Sequence, residues 1–154
     1  MRQEWKRHAL GEEENNMRKI IEVPYIDQSV SYPTGCESVS ATMLLQYLGY
    51  EITVDEFIRN YVPCVPMQER DGQLYGPDPR KAFCGSPYDK DSFGCYAPVI
   101  CEALQKAVGD KYRVVDETGT SMQELIQRYI DREMPVVFWA CTVSYTHLRA
   151  HETE

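Results

Sequence analysis

Apolar positions along this chain follow helical spacing in four places. From Cys36 to Tyr47 or Leu48, the residues Val39, Ala41, Met43, Leu44, Leu45, Tyr47 and Leu48 occupy most of a helix circumference. A helix that is apolar nearly all round has to be buried, and Gly49 ends this one as a C-terminal cap residue does. Thr53-Val54-Asp55-Glu56 is a capping-box pattern, and Phe57, Ile58 and Tyr61 form the apolar face of the helix it opens. Pro98 suits the first turn of a third helix, Pro98 to Val108, because its missing N–H is not needed there. Ser121-Met122-Gln123-Glu124 is a second capping box, opening a helix that runs through Tyr129 and Ile130.

Strand signals are fewer. Residues 20–26 read as a short strand that Pro24 confines to an edge or ends. Tyr112 to Val115 reads as another. Pro135 to Cys141 carries the strongest signal, β-branched and aromatic with both faces apolar, which predicts a central strand. Cys64 to Gly94 is irregular and rich in Pro and Gly, and a stretch of that length is expected to be functional or mobile. The order strand, helices, strand, helix, strand predicts an α+β fold, with a buried helix packed on a partial antiparallel sheet. No internal repeat is present.

Length and composition set the outer bounds. The chain has 154 residues, enough for one domain with a core of its own. Its net charge of −8 disfavours binding to nucleic acid or anionic membrane, and no apolar run is long enough to span a bilayer. Met1 to Asn16 is a polar arm without the apolar core of a signal peptide, and Met17 is a second plausible start. Cytoplasmic residence is the default that follows. The six cysteines, Cys36, Cys64, Cys84, Cys95, Cys101 and Cys141, have neither C-x-x-C spacing nor histidines at zinc-finger spacing, so no metal or cofactor is expected. They are expected to be mostly reduced, with Cys101 and Cys141 buried in apolar runs.

Cys36 is different. It follows Pro33-Thr34-Gly35 and opens the buried helix, so its sulfur faces unpaired N–H groups that favour thiolate. Gln28 could bring a side-chain N–H beside that sulfur and form an oxyanion hole with the Cys36 amide, worth on the order of 3 kcal/mol per donor. The alternative is a helix-start cysteine and a solvated loop glutamine. Asp27 and Glu37 read as a turn residue and a first-turn helix carboxylate, or else as groups that tune the site or bind a substrate amine.

The runs Val23-Pro24-Tyr25-Ile26-Asp27-Gln28, Gly35-Cys36-Glu37-Ser38 through Leu45, and Tyr47-Leu48-Gly49 resemble the N-terminal signature of family-thirty-nine-like cysteine peptidases. These are papain-fold bacterial proteins related to bacteriocin leader-peptide proteases. The resemblance extends more loosely to about residue 142, and it implies a papain-like α+β fold. It also implies Cys36 as nucleophile, Gln28 as oxyanion-hole residue, a peptide or protein substrate, and relatives that are often exported. In such a family a histidine that opens a later strand takes the thiol proton, and an Asp or Asn orients it. This chain has no segment of that kind. Val143 to Thr153 instead resembles one reading frame of a transposase-type sequencing adapter. The expected organisation is therefore a polar or non-native arm at 1–16, the N-terminal part of a peptidase domain at 17–142, and a non-native tail at 143–154. His147 has no following strand or orienting residue, so it is not expected to act as the base, and His8 and His151 are no better placed. The reading is a cysteine peptidase working through a thioester, with this chain inactive or very weak. An acyl or peptidyl transferase on the same fold, or a non-catalytic peptide-binding module, are the alternatives.

Overall fold

The computed structural model describes residues 19–140. Four α-helices appear where the pattern predicts them: α1 Cys36–Tyr47, α2 Val54–Tyr61, α3 Ala97–Val108 and α4 Met122–Arg128, the last followed by a 3₁₀ turn at Ile130–Arg132. Both capping boxes form, with Thr53 and Ser121 accepting the backbone N–H of Glu56 and Glu124 and each glutamate returning to the cap N–H. Helix α1 closes through Tyr50 N–H to the Leu45 carbonyl and Gly49 N–H to the Gln46 carbonyl, the paired bonds of a Schellman ending with Gly49 at φ +86°.

Helix α1 is buried on two sides because it lies between two apolar clusters. Ala41 and Leu45 face the larger one, with Phe57 of α2 and Val99, Ile100, Ala103, Leu104 and Val108 of α3. Val39 faces the smaller one, with Val54 and Ile58 of α2. On α2 the apolar residues sit on one stripe, while Asp55 and Arg59 remain on the outer side.

The β structure comes from the segment expected to be irregular. Strands β1 Cys64–Val65 and β4 Phe83–Cys84 pair in parallel, and β2 Gln68–Arg70 and β3 Gln73–Tyr75 form an antiparallel hairpin. An isolated bridge then joins Cys84 to Gly94. Phe83 is fully buried in the main cluster, so this ribbon is fixed to the helices.

The three predicted strands are corrected. Residues 20–26 form no strand; the Ile26 N–H donates to the Met43 sulfur, and Pro24 has no N–H to offer a ladder. Tyr112 to Val115 forms no strand and begins in a bend. There the Gln105 side chain takes the place of a partner strand, donating to the Tyr112 carbonyl and accepting from the Val114 N–H. Residues 135–140 of the strongest signal also form no strand, and Phe138 is 66% exposed. Extended backbone becomes a strand only when a neighbour takes its N–H and C=O groups, and none does so among the described residues. The fold remains α+β, with its strands drawn from other residues. Among the cysteines, Cys84 and Cys95 are the buried pair and Cys101 is only half-buried, whereas Cys141 lies outside the described residues.

Candidate active site

Cys36 is the first residue of α1 and is exposed. The cap residue before it, Gly35, supplies no side-chain bond, so the first-turn amides are not covered by a capping side chain. Gly35 is itself buried. A Cβ there would lie 2.9 Å from the Tyr32 Cβ and 3.1 Å from the Pro87 Cβ, so the turn before the cysteine can close only around glycine.

Residues far along the chain hold this turn. Thr34 donates its hydroxyl to the Asp89 carbonyl at 2.7 Å and lies 3.2 Å from the Ser86 carbonyl. Tyr32 and Tyr88 both donate to Asp55 Oδ1 on α2, at 3.2 and 2.8 Å. Burial, then the Asp55 carboxylate, pushes the Tyr88 hydroxyl up to about 12. Glu37 is 8% exposed; its Oε1 accepts the Cys95 N–H at 3.1 Å and its Oε2 accepts the Cys36 thiol at 3.2 Å. Gly94 makes room for that carboxylate, since a Cβ there would fall 2.4 Å from Oε1 and the residue sits at φ +99°. The Cys95 carbonyl accepts from the Trp139 indole N–H at 3.1 Å, so the backbone of Cys95 is held at both its N–H and its C=O.

The electrostatics depart from the thiolate-favouring expectation. Loss of hydration, then the adjacent Glu37 carboxylate, pushes the Cys36 thiol up to about 11. The Cys36 and Glu37 amides act in the expected, opposite direction, but they are outweighed. A helix start stabilises an anion modestly, whereas a carboxylate in hydrogen-bond contact with the sulfur opposes it directly.

Gln28 lies on the loop before the turn and is half-buried. Its carbonyl accepts the Tyr32 N–H at 2.9 Å, and among the described residues its side-chain amide has no hydrogen-bond partner. Asp27 accepts the Ser29 N–H at 2.8 Å, which holds its carboxyl below the usual range and identifies it as a turn residue. His8, His147 and His151 lie outside the described residues. Among the described residues no three His, Cys, Asp or Glu side chains could hold a metal, and no helix is long and apolar enough to cross a membrane.

Sequence reasoning missed Asp55, Tyr88 and the burial of Glu37. Asp55 stood in a capping box and Glu37 in a first helical turn, positions where a carboxylate is ordinary. Nothing local to Asp55 signalled a second role; for Glu37 its place beside Cys36 allowed one that tunes the site, but not its burial.

A family model described as Peptidase_C39 like family matches residues 20–153. The uncharacterized protein YvpB of Bacillus subtilis (strain 168) is 34% identical over 110 residues, which cover 71% of this chain and 41% of that protein. The crystal structure of a Bacillus anthracis protein assigned as a C39-like peptidase superposes with a TM-score of 0.59 at 27% identity, over 71% of this chain and 52% of that one. The chain therefore spans about two-fifths of the curated relative and half of the crystallised one. It belongs to the Peptidase_C39 like family and has the mixed helix-and-strand, papain-like fold of a cysteine peptidase.

Proposed function

We propose that this chain carries the nucleophile half of a cysteine peptidase, with Cys36 as the attacking thiol and a peptide or protein as substrate. The observation that carries the reading is an exposed cysteine at the uncapped start of a buried helix, in a chain of the Peptidase_C39 like family. Cys36 Sγ attacks the scissile carbonyl, and the oxyanion is taken by the Cys36 amide and the Gln28 side-chain amide. The leaving amine departs with a proton, and the thioester is then hydrolysed by water. Residues 17–142 carry the part of the domain that does this.

The proton acceptor is not among the described residues, which contain no histidine. With the thiol at about 11, the thiolate fraction at pH 7 is on the order of 10⁻⁴. An imidazolium beside the sulfur would reverse that balance. Peptide turnover by this chain is accordingly expected to be very slow, and acylation is the step to measure.

An activated peptide ester, incubated with the protein and followed by mass spectrometry of cysteine-containing fragments, tests this. Acyl transfer should occur on Cys36, vanish in Cys36→Ala and fall about tenfold or more in Gln28→Ala, as loss of an oxyanion donor requires. Acylation confined to Cys64 or Cys101 would overturn the assignment.

A further inference from the structure

Glu37 is a buried carboxylate, and among the described residues no Lys or Arg forms an ion pair with it. Burying such a group is unfavourable unless its oxygens are satisfied. Here each oxygen has its own donor, the Cys95 N–H on one and the Cys36 thiol on the other. Gly94 leaves the carboxylate room that any side chain would occupy. The Cys95 peptide is held in turn by Trp139, and Gly94 is bonded to Cys84 of β4.

We propose that Glu37 is a positioning residue for the nucleophile: one carboxylate oxygen locks Gly94–Cys95 against the start of α1, and the other holds the Cys36 thiol aimed and neutral until a proton acceptor reaches it. This rests on the reading of Cys36 as the attacking group. The consequence is a nucleophile kept inert toward stray electrophiles, whose ionisation depends on the arrival of a neutral base that takes the thiol proton and becomes the cation paired with the thiolate. The other ionisable groups gathered around Cys95 are also thiols, Cys36, Cys64 on β1 and Cys84 on β4, and among the described residues no cation is paired with the carboxylate. Desolvation acts in the same direction as Glu37 on Cys36, and the first-turn amides act against both.

The test is the pH–rate profile of Cys36 alkylation by iodoacetamide, read on its own peptide by mass spectrometry so that the other thiols do not contribute. In Glu37→Gln the amide oxygen can still accept the Cys95 N–H while the NH₂ now donates to sulfur. Its midpoint should fall by at least one pH unit, with alkylation at pH 7 about tenfold faster or more. Glu37→Asp, which keeps the charge, should stay nearer the original protein. A folded Glu37→Gln with an unchanged midpoint, or a Glu37→Asp that shifts equally, would overturn the proposal and leave Glu37 a loop anchor only. Should Glu37→Gln fail to fold, the unsubstituted protein decides: the Glu37 carboxyl carbon, followed by NMR, should show an inflection at the Cys36 midpoint because its oxygen then loses the thiol proton, and a carboxyl signal that passes through that midpoint unchanged overturns the proposal. These readings concern thiol ionisation alone, so they remain separate from the acyl-transfer result on which the peptidase reading stands or falls.

Discussion

The turn before α1 and the run at 135–140 had opposite prospects and opposite outcomes. The turn is a short polar stretch with a glycine and a proline, yet it is fixed by Thr34, Tyr32 and Glu37 to three separate parts of the chain. The 135–140 run has the best β-forming residues in the protein and, among the described residues, is tied by a single side-chain bond, from Trp139 to the Cys95 carbonyl. The difference shows that intrinsic preference orders a segment only when the segment completes its own hydrogen bonds or meets a partner that does. Helix α1 closes its bonds internally, and its entry turn recruits side chains. An extended run can do neither by itself.

The most damaging substitution removes Phe83, which fixes the β1–β4 ribbon to the helices. Phe83→Ala should cost about 3–5 kcal/mol, read as a lower urea midpoint, because its side chain is wholly enclosed. If Phe83→Ala melted like the original, the ribbon would not be anchored as described. Gly94→Ala comes next. Its Cβ would strike the Glu37 carboxylate and its backbone lies at φ +99°, so a loss of about 2–4 kcal/mol is expected, together with altered Cys36 alkylation. Thr53→Ala removes the capping box that starts α2 and should cost about 1 kcal/mol in the same assay.

Alkaline pH should weaken the protein more gradually. The Cys36 thiol and the Tyr88 hydroxyl are both raised by burial and then by a neighbouring carboxylate, to about 11 and about 12 from ordinary values of 9.0 and 10.0. Their contribution is fully present below pH 9 and is lost as pH rises toward 11 and 12, because the unfolded chain ionises first. Thermal midpoints should therefore be level from pH 7 to about 8.5 and decline above it, and Glu37→Gln should flatten part of the decline. A midpoint that rises with pH over that range would contradict the burial of these groups. The smallest effect belongs to the other region: Phe138→Ser should change stability by no more than about 0.5 kcal/mol, since that ring is largely exposed already. A loss comparable with that of Phe83→Ala would mean that the 135–140 run is packed after all.

What the sequence determined by itself was local. The helices, their caps and the exposed thiol at the start of α1 were all readable, because a helix is decided by bonds between residues four apart and by side chains within one turn of its ends. The α+β class and the family were readable from the residues around Gln28 and Cys36 as well. Tertiary structure alone decided which extended runs became strands, because pairing Cys64–Val65 with Phe83–Cys84 depends on a partner nearly twenty residues away. It also decided the character of the thiol. The dipole at the helix start could be inferred from position, but a buried Glu37 held by Cys95 and set against the sulfur is fixed by a contact 58 residues apart in sequence. Such surroundings reverse a local electrostatic preference because loss of hydration, reinforced by a charge in direct contact with the sulfur, outweighs the partial charges of a helix end.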